Sequence, residues 1–129
     1  MTFLRPYKDW LLSVLRIMAG LLFLQHGTTK YLGIPQTDMT GASPLTMGGA
    51  AGLIELIGGA LIVIGLFTRP AAFLASGTMA VAYFMAHAPQ NFYPILNGGE
   101  LAALYCFVFL YLAGAGAGPI SVDRMIGQR

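Results

Sequence analysis

Four long apolar runs dominate the sequence, and each is close to the length that a helix needs to cross a lipid bilayer. They cover residues 10–32, 47–67, 70–88 and 97–117. A helix crosses the hydrocarbon core in about 20 residues, and only helices or closed barrels satisfy their backbone hydrogen bonds there. The runs are too long and too continuous for barrel strands. The sequence therefore predicts an all-α fold, a bundle of four transmembrane helices.

Composition favours the same environment. The chain is 57% hydrophobic and 9% charged, against roughly 45–50% apolar and about 25% charged residues in soluble domains. A soluble fold of this size cannot bury so much apolar surface, so the expected partner is the lipid bilayer. We expect one integral membrane domain over residues 1–129, with no nucleic acid partner despite the net charge of +2.

The basic residues predict how the bundle is oriented. One side of the membrane would carry Arg5, Lys8, Arg69, Arg124 and Arg129, and the other side Lys30 alone. Cytoplasmic loops of membrane proteins are enriched in Lys and Arg. Both termini are therefore predicted to be cytoplasmic, with residues 33–46 facing outward, in a multi-pass protein of the inner (plasma) membrane.

Polar side chains of three predicted helices share one level of the outer half of the bilayer. Counted from the middle of each span at about 1.5 Å per residue, this level is roughly 9–12 Å from the membrane centre. It contains His26, His87 and Glu100, and Gln25, Lys30 and Asn97 lie in or just above it. Ionisable groups inside a membrane are expensive and usually functional, so these residues are site candidates.

Two further charges lie on helix faces made of small residues. Glu55 shares a stripe with Gly48, Gly52 and Gly59, and Arg16 shares one with Ser13, Gly20 and Gly27. Small residues allow helices to approach closely, so both charges are expected to face the bundle interior. The structural interpretation of these two residues is an Arg16–Glu55 ion pair.

Each of the other candidates also has a structural interpretation. Lys30 would extend to the outer interface, Glu100 would complement the dipole of its helix N-terminus, and the histidines would be hydrogen-bonded packing residues. The aromatic residues near this level either wall a pocket for a flat ring or form an ordinary interfacial belt. They are Phe23, Tyr83, Phe84, Phe92 and Tyr93.

The sequence narrows the chemistry that the chain can perform. Its single cysteine, Cys106, excludes an intrinsic dithiol relay. A His, His, Glu set can hold a divalent metal, but no paired-ligand motif accompanies it, so no metal site is predicted. The same groups, with Lys30, can also hydrogen-bond the carbonyl oxygens of a quinone, which is the cofactor we consider.

Three stretches of the sequence resemble the DoxX family of small four-helix membrane proteins. They read "LRIMAGLLFLQHGTTKYLG", "GLIELIGGALIVIGLFTRPAA" and "GAGAGPISVDR", the last with Pro119 and Ile120 before Ser121 where the family has a shorter spacing. The resemblance implies that the signature residues are Arg16, Lys30, Glu55, Arg69, Ser121 and Asp123. It also implies membrane redox work, such as a subunit of a thiosulfate:quinone oxidoreductase, although distant relatives are receptor-assembly chaperones.

Three functional hypotheses remain open at this point. In the first, the chain is a membrane component of a quinone-linked redox system that oxidises a small sulfur compound or passes electrons from a partner protein. Its catalytic residues would be Glu55, Glu100, His26 and His87, and its cofactor-binding residues Lys30, Arg16, Gln25 and Asn97. The alternative is a non-catalytic scaffold or assembly factor, and the third is a conduit for protons or small molecules, enlarged by homo-oligomerisation.

Overall fold

The computed structural model describes residues 1–128, which form helices and connecting loops with no β-strand among them. The all-α prediction is therefore confirmed. The helices are α1 (Lys8–Leu32), α2 (Met47–Ile64), α3 (Thr68–Ala82), α4 (Pro94–Asn97), α5 (Glu100–Ala115) and α6 (Val122–Met125). A 3₁₀ turn (Thr2–Tyr7) leads into α1 and a π turn (Tyr83–His87) extends α3. Arg129, predicted to be cytoplasmic, lies outside the described residues.

The four apolar runs correspond to α1, α2, α3 and α5, but the helices differ in length. Two are long and apolar enough to cross a membrane, the continuous stretch Thr2–Leu32 and α2. Helix α5 is apolar but shorter. Helix α3 ends at Ala82, before the predicted boundary at residue 88, because the chain there widens into the π turn, with Ala88 N donating to Tyr83 O at 2.8 Å.

The long helices run antiparallel to their neighbours in the order α1, α2, α3, α5. Helix α1 packs most extensively on α2, α3 packs on α5, and α2 joins the two pairs through α3. The segment 33–46 links α1 to α2 at one end of the bundle, which we name the loop end. The opposite end holds the start of α1 and helix α6, and we name it the terminal end.

Glycines set the close contact between α1 and α2. A Cβ on Gly27 would lie 2.6 Å from the Cα of Leu56, and one on Gly59 would lie 2.8 Å from the Cα of Leu24. Each glycine thus faces the backbone of the opposite helix. This reciprocal contact fixes the register of the two helices, which decides the polar groups that meet across them.

Aromatic side chains fill the wider space between α1 and α5. Phe23 is fully buried and packs edge-on against Tyr105 and Phe109, with ring centroids 5.7 and 4.8 Å apart. Tyr105 and Phe109 stack at 5.5 Å. Because large rings separate these helices, α1 and α5 have few close backbone contacts.

The outer surface of the bundle is apolar along its length. Large hydrophobic side chains point outward from every long helix, for example Val14, Ile57, Phe73 and Phe107, which are 56%, 60%, 64% and 69% exposed. Continuous exposed apolar surface on this scale marks contact with a membrane or partner. Together with the two helices that are long and apolar enough to cross a membrane, it indicates a lipid bilayer environment.

Arg16 and the C-terminal segment lock the terminal end. The Arg16 side chain, 1% exposed, donates from Nε to Ile62 O at 2.9 Å and from its terminal nitrogens to Ala117 O, Ile120 O and Val63 O. Its partners are thus backbone carbonyls. Asp123 accepts from the backbone amides of Phe67 and Thr68, at 2.8 and 2.9 Å, and so completes the start of α3.

The predicted Arg16–Glu55 ion pair is wrong. Arg16 and Lys30 lie roughly 20 Å apart along α1, at about 1.5 Å per residue. The glycine contacts put Arg16 opposite the end of α2 and Lys30 opposite Glu55. Depths counted from the middle of each span carried no information about this register, so they assigned the wrong cation to the carboxylate.

Candidate functional site

A buried ion pair joins α1 to α2 near the loop end. Lys30 Nζ lies 2.6 Å from Glu55 Oε1, and the two side chains are 6% and 5% exposed. The structural interpretation of Lys30 expected its side chain to extend to the outer interface. It is instead buried against Glu55. Both residues are site candidates, and the structure brings them into direct contact in the bundle interior.

The surroundings of the pair explain why Lys30 stays inside. Its stem crosses Gly52, where a Cβ would lie 2.7 Å from Lys30 Cδ. The segment after α1 folds back over the helix end, with Gly41 N donating to Lys30 O at 2.8 Å and Thr40 Oγ1 to Thr29 O at 2.8 Å. Tyr31 adds a hydrogen bond from its hydroxyl to Gly49 O. The absence of a side chain at Gly52 leaves room for the Lys30 stem, and the loop after α1 covers the helix end. Together they keep the ammonium group beside Glu55.

His26 of α1 and Tyr105 of α5 contact each other one helical turn away from Lys30. His26 precedes Lys30 by one helical turn, so both occupy one face of α1. The half-buried His26 ring meets the Tyr105 ring edge-on, with centroids 6.2 Å apart. We name the four residues Lys30, Glu55, His26 and Tyr105 the outer cluster.

The other histidine belongs to a separate network between α3 and α5. His87 Nδ1 lies 3.0 Å from Asn97 O, and the Asn97 amide donates to Tyr83 Oη at 3.2 Å and to Asn91 O at 2.9 Å. Asn97 Oδ1 accepts from Gly99 N at 2.8 Å. These bonds tie the π turn to the start of α5, so His87 and Asn97 close a helical hairpin.

The remaining candidates lie on the outside. Gln25 is exposed on α1, and Glu100 is exposed in the first turn of α5, where a carboxylate complements the helix dipole. Within residues 1–128 no group of three or more His, Cys, Asp or Glu side chains could hold a metal ion. The shared level predicted for His26, His87 and Glu100 thus does not bring their side chains into one cluster.

Tyr105 is the residue that sequence reasoning missed. It lies on the buried stripe of α5 formed by Ala102, Tyr105, Phe109 and Leu112. That spacing is a usable signal for the inner face of the helix. Of the aromatic residues considered for a pocket, Phe23 is buried and Tyr83 half-buried, whereas Phe84, Phe92 and Tyr93 are exposed as in an interfacial belt.

Comparison with known proteins identifies the family. The DoxX family model matches residues 11–88. The chain belongs to the DoxX family. A Haemophilus influenzae relative named "Uncharacterized protein" is 44% identical over 94% of both chains. A Bacillus subtilis DoxX-family relative named "Putative oxidoreductase CatD" is 28% identical over 88% of this chain and 84% of its own. No solved structure is significantly similar to the chain.

The region matched to DoxX contains three of the four charged side chains that are buried in residues 1–128, and it leaves out Asp123. It runs from the first turn of α1 to the residue after the π turn, so it includes Arg16, Lys30 and Glu55. It stops before α5 and therefore leaves out Tyr105. As a DoxX protein with spanning helices, the chain is membrane-associated.

Proposed function

We propose that this protein is an integral membrane component of a quinone-linked redox system, and that the outer cluster binds the quinone head group. Four helices cross the inner membrane in this proposal, with both termini cytoplasmic and the loop end outward. The buried Lys30–Glu55 pair is the observation that carries it.

Stability alone is a weak reason for such a pair. Moving two charges out of water costs several kcal/mol for each, and apolar residues of similar volume often serve stability as well or better (by about 1–4 kcal/mol). Inside a bilayer, charged side chains are rare and mark ion, proton or substrate sites. A pair that is also next to a histidine and a tyrosine fits a site that binds a polar head group and moves protons.

The residues divide the work by their chemistry. Lys30 supplies donors to a carbonyl oxygen, and Glu55 exchanges the protons that a quinone takes up or releases. His26, half-buried at the edge of the cluster, orients the ring. The quinone supplies the redox chemistry when bound, and electrons come from a partner protein, since the only cysteine is Cys106.

The name of the Bacillus subtilis relative points in the same direction, because an oxidoreductase is what that name describes. Oxidation of a small sulfur compound is the expectation that the family resemblance adds. The relative's name and the sulfur chemistry both describe a reaction that we assign to a partner protein. The role that we propose for this chain is to bind the quinone.

Native mass spectrometry of gently solubilised protein tests the proposal. We expect the wild-type protein to retain a ligand of quinone mass, and His26→Leu to lose it while staying folded. Gln25→Leu is the matched control, because Gln25 is the preceding residue of the same helix and is exposed. It should retain the ligand.

A wild-type protein that carries only phospholipid, and takes up no added decylubiquinone, would contradict the proposal. The outer cluster would then serve the non-catalytic scaffold or assembly factor that the sequence also allowed, with the ion pair joining α1 to α2. In that case His26→Leu would change nothing.

A further inference from the structure

Two buried hydroxyl groups in residues 1–128 have no hydrogen-bond partner, and one of them is Tyr105 Oη in the outer cluster. The other, Thr68 Oγ1, lies at the terminal end, beside the backbone amides that Asp123 holds. Tyr105 is 4% exposed. Burying a hydroxyl donor without an acceptor lowers the free energy of unfolding. An acceptor on a bound ligand would remove that cost.

The surroundings of the Tyr105 hydroxyl indicate what kind of ligand would carry the acceptor. Tyr105 stacks on Phe109 and meets Phe23 edge-on, so the side chains packed around it between α1 and α5 are aromatic rings. Aromatic walls in a lipid-facing bundle select a flat apolar molecule. The paired Lys30 and Glu55 neutralise each other, so no net charge selects an ionic ligand.

His26 is the side chain that borders this space on the exposed side. Its ring covers the edge of Tyr105, it is half-buried, and neither of its ring nitrogens makes a hydrogen bond within the described chain. A change of its χ angles breaks no hydrogen bond. The helices on either side of this space, α1 and α5, have few close backbone contacts with each other.

We propose that Tyr105 is a ligand-binding residue: its hydroxyl donates a hydrogen bond to a carbonyl oxygen of a flat, lipid-soluble quinone that enters between α1 and α5 as His26 moves aside. This inference rests on the proposed function, because it assigns one contact in the quinone site. The contact involves no bond making or electron transfer.

Tyr105→Phe tests the inference, because it removes one oxygen and keeps the ring. We expect decylubiquinone to bind the variant in lipid nanodiscs about tenfold more weakly than wild type, the loss of one hydrogen bond made away from water. The thermal midpoint of the ligand-free variant should stay equal or rise, because the unpaired hydroxyl is gone. Tyr111→Phe, at a 60% exposed position of the same helix, is the control and should bind as wild type does.

The outcomes separate the two claims. Equal affinity of Tyr105→Phe and wild type would overturn the role of Tyr105 and leave the proposed function standing. A lower thermal midpoint for the ligand-free variant would also overturn it, because the hydroxyl would then have a partner within the protein. If wild type itself fails to bind decylubiquinone and menadione, the proposed function fails and the inference fails with it.

Discussion

Among residues 1–128, Arg16 and Lys30 bury a positive charge, and they do so in different ways. Arg16 donates four hydrogen bonds to backbone carbonyls of α2 and the 117–120 segment, as a planar guanidinium can. Lys30 is held by one carboxylate, that of Glu55. The first arrangement joins three segments of chain, whereas the second joins α1 to α2 by a single ion pair. Arg16 therefore joins segments at the terminal end, and the pair is the part of the proposed quinone site that carries charge.

Breaking the pair on one side should be costly. Glu55→Leu leaves Lys30 buried without its partner, and we expect a loss of about 3–5 kcal/mol in the free energy of unfolding. The double variant Lys30→Met, Glu55→Leu removes both charges and should recover most of that loss. Unfolding in mixed micelles measures both. A single variant as stable as wild type would contradict the buried pair.

Arg16→Lys keeps the charge and should still destabilise. An ammonium group cannot reach carbonyls on both α2 and the 117–120 segment, so at least one buried acceptor loses its donor, at roughly 1–3 kcal/mol. Arg124→Lys, at an exposed position, is the control and should leave the thermal midpoint unchanged. Equal midpoints for the two variants would show that the Arg16 hydrogen bonds contribute nothing.

At the scale of elements, the α1–α2 contact positions everything else. Gly27 lies against the backbone of Leu56, Gly59 against Leu24, and Gly52 under the stem of Lys30. The register that these glycines set places Lys30 opposite Glu55. The same helices without this contact would bring other residues together, so the glycines are part of the site although they carry no chemistry.

Gly27→Ala should therefore separate α1 from α2. Its Cβ would lie 2.6 Å from Leu56 Cα, which belongs to the backbone and cannot turn away. We expect a loss of about 1–3 kcal/mol, as for other overpacked contacts. Gly77→Ala, with nothing within 4 Å of the added Cβ, should be neutral or slightly stabilising. A thermal unfolding series distinguishes them, and equal effects would refute the close contact.

Sequence patterns predicted the helices better than the contacts between them. Apolar runs and small-residue stripes correctly indicated an all-helical chain, with Glu55 and Arg16 facing inward. They could not pair Glu55 with Lys30, because pairing depends on a register set by glycine contacts on two helices. They also missed Tyr105. In the sequence it has the spacing of an ordinary core aromatic residue, and only the structure shows that its hydroxyl has no hydrogen-bond partner.

At the scale of the whole molecule, the proposed topology follows from charge. The loop end carries the 33–46 segment, and the terminal end carries Arg5, Lys8 and Arg124. In a Cys106→Ala background, a cysteine introduced at Ser43 should react with a membrane-impermeant maleimide in intact cells. One introduced at Gln128 should react only after lysis. The opposite labelling pattern would contradict cytoplasmic termini.

The central claim is that a quinone binds between α1 and α5 beside the Lys30–Glu55 pair. Photolabelling of the protein in native membranes with an azidoquinone, followed by peptide mapping, tests it most directly. We predict label within residues 23–31 and 102–109 that excess decylubiquinone removes. Label spread over lipid-facing residues such as Phe73 and Phe107, and unaffected by competition, would contradict the claim.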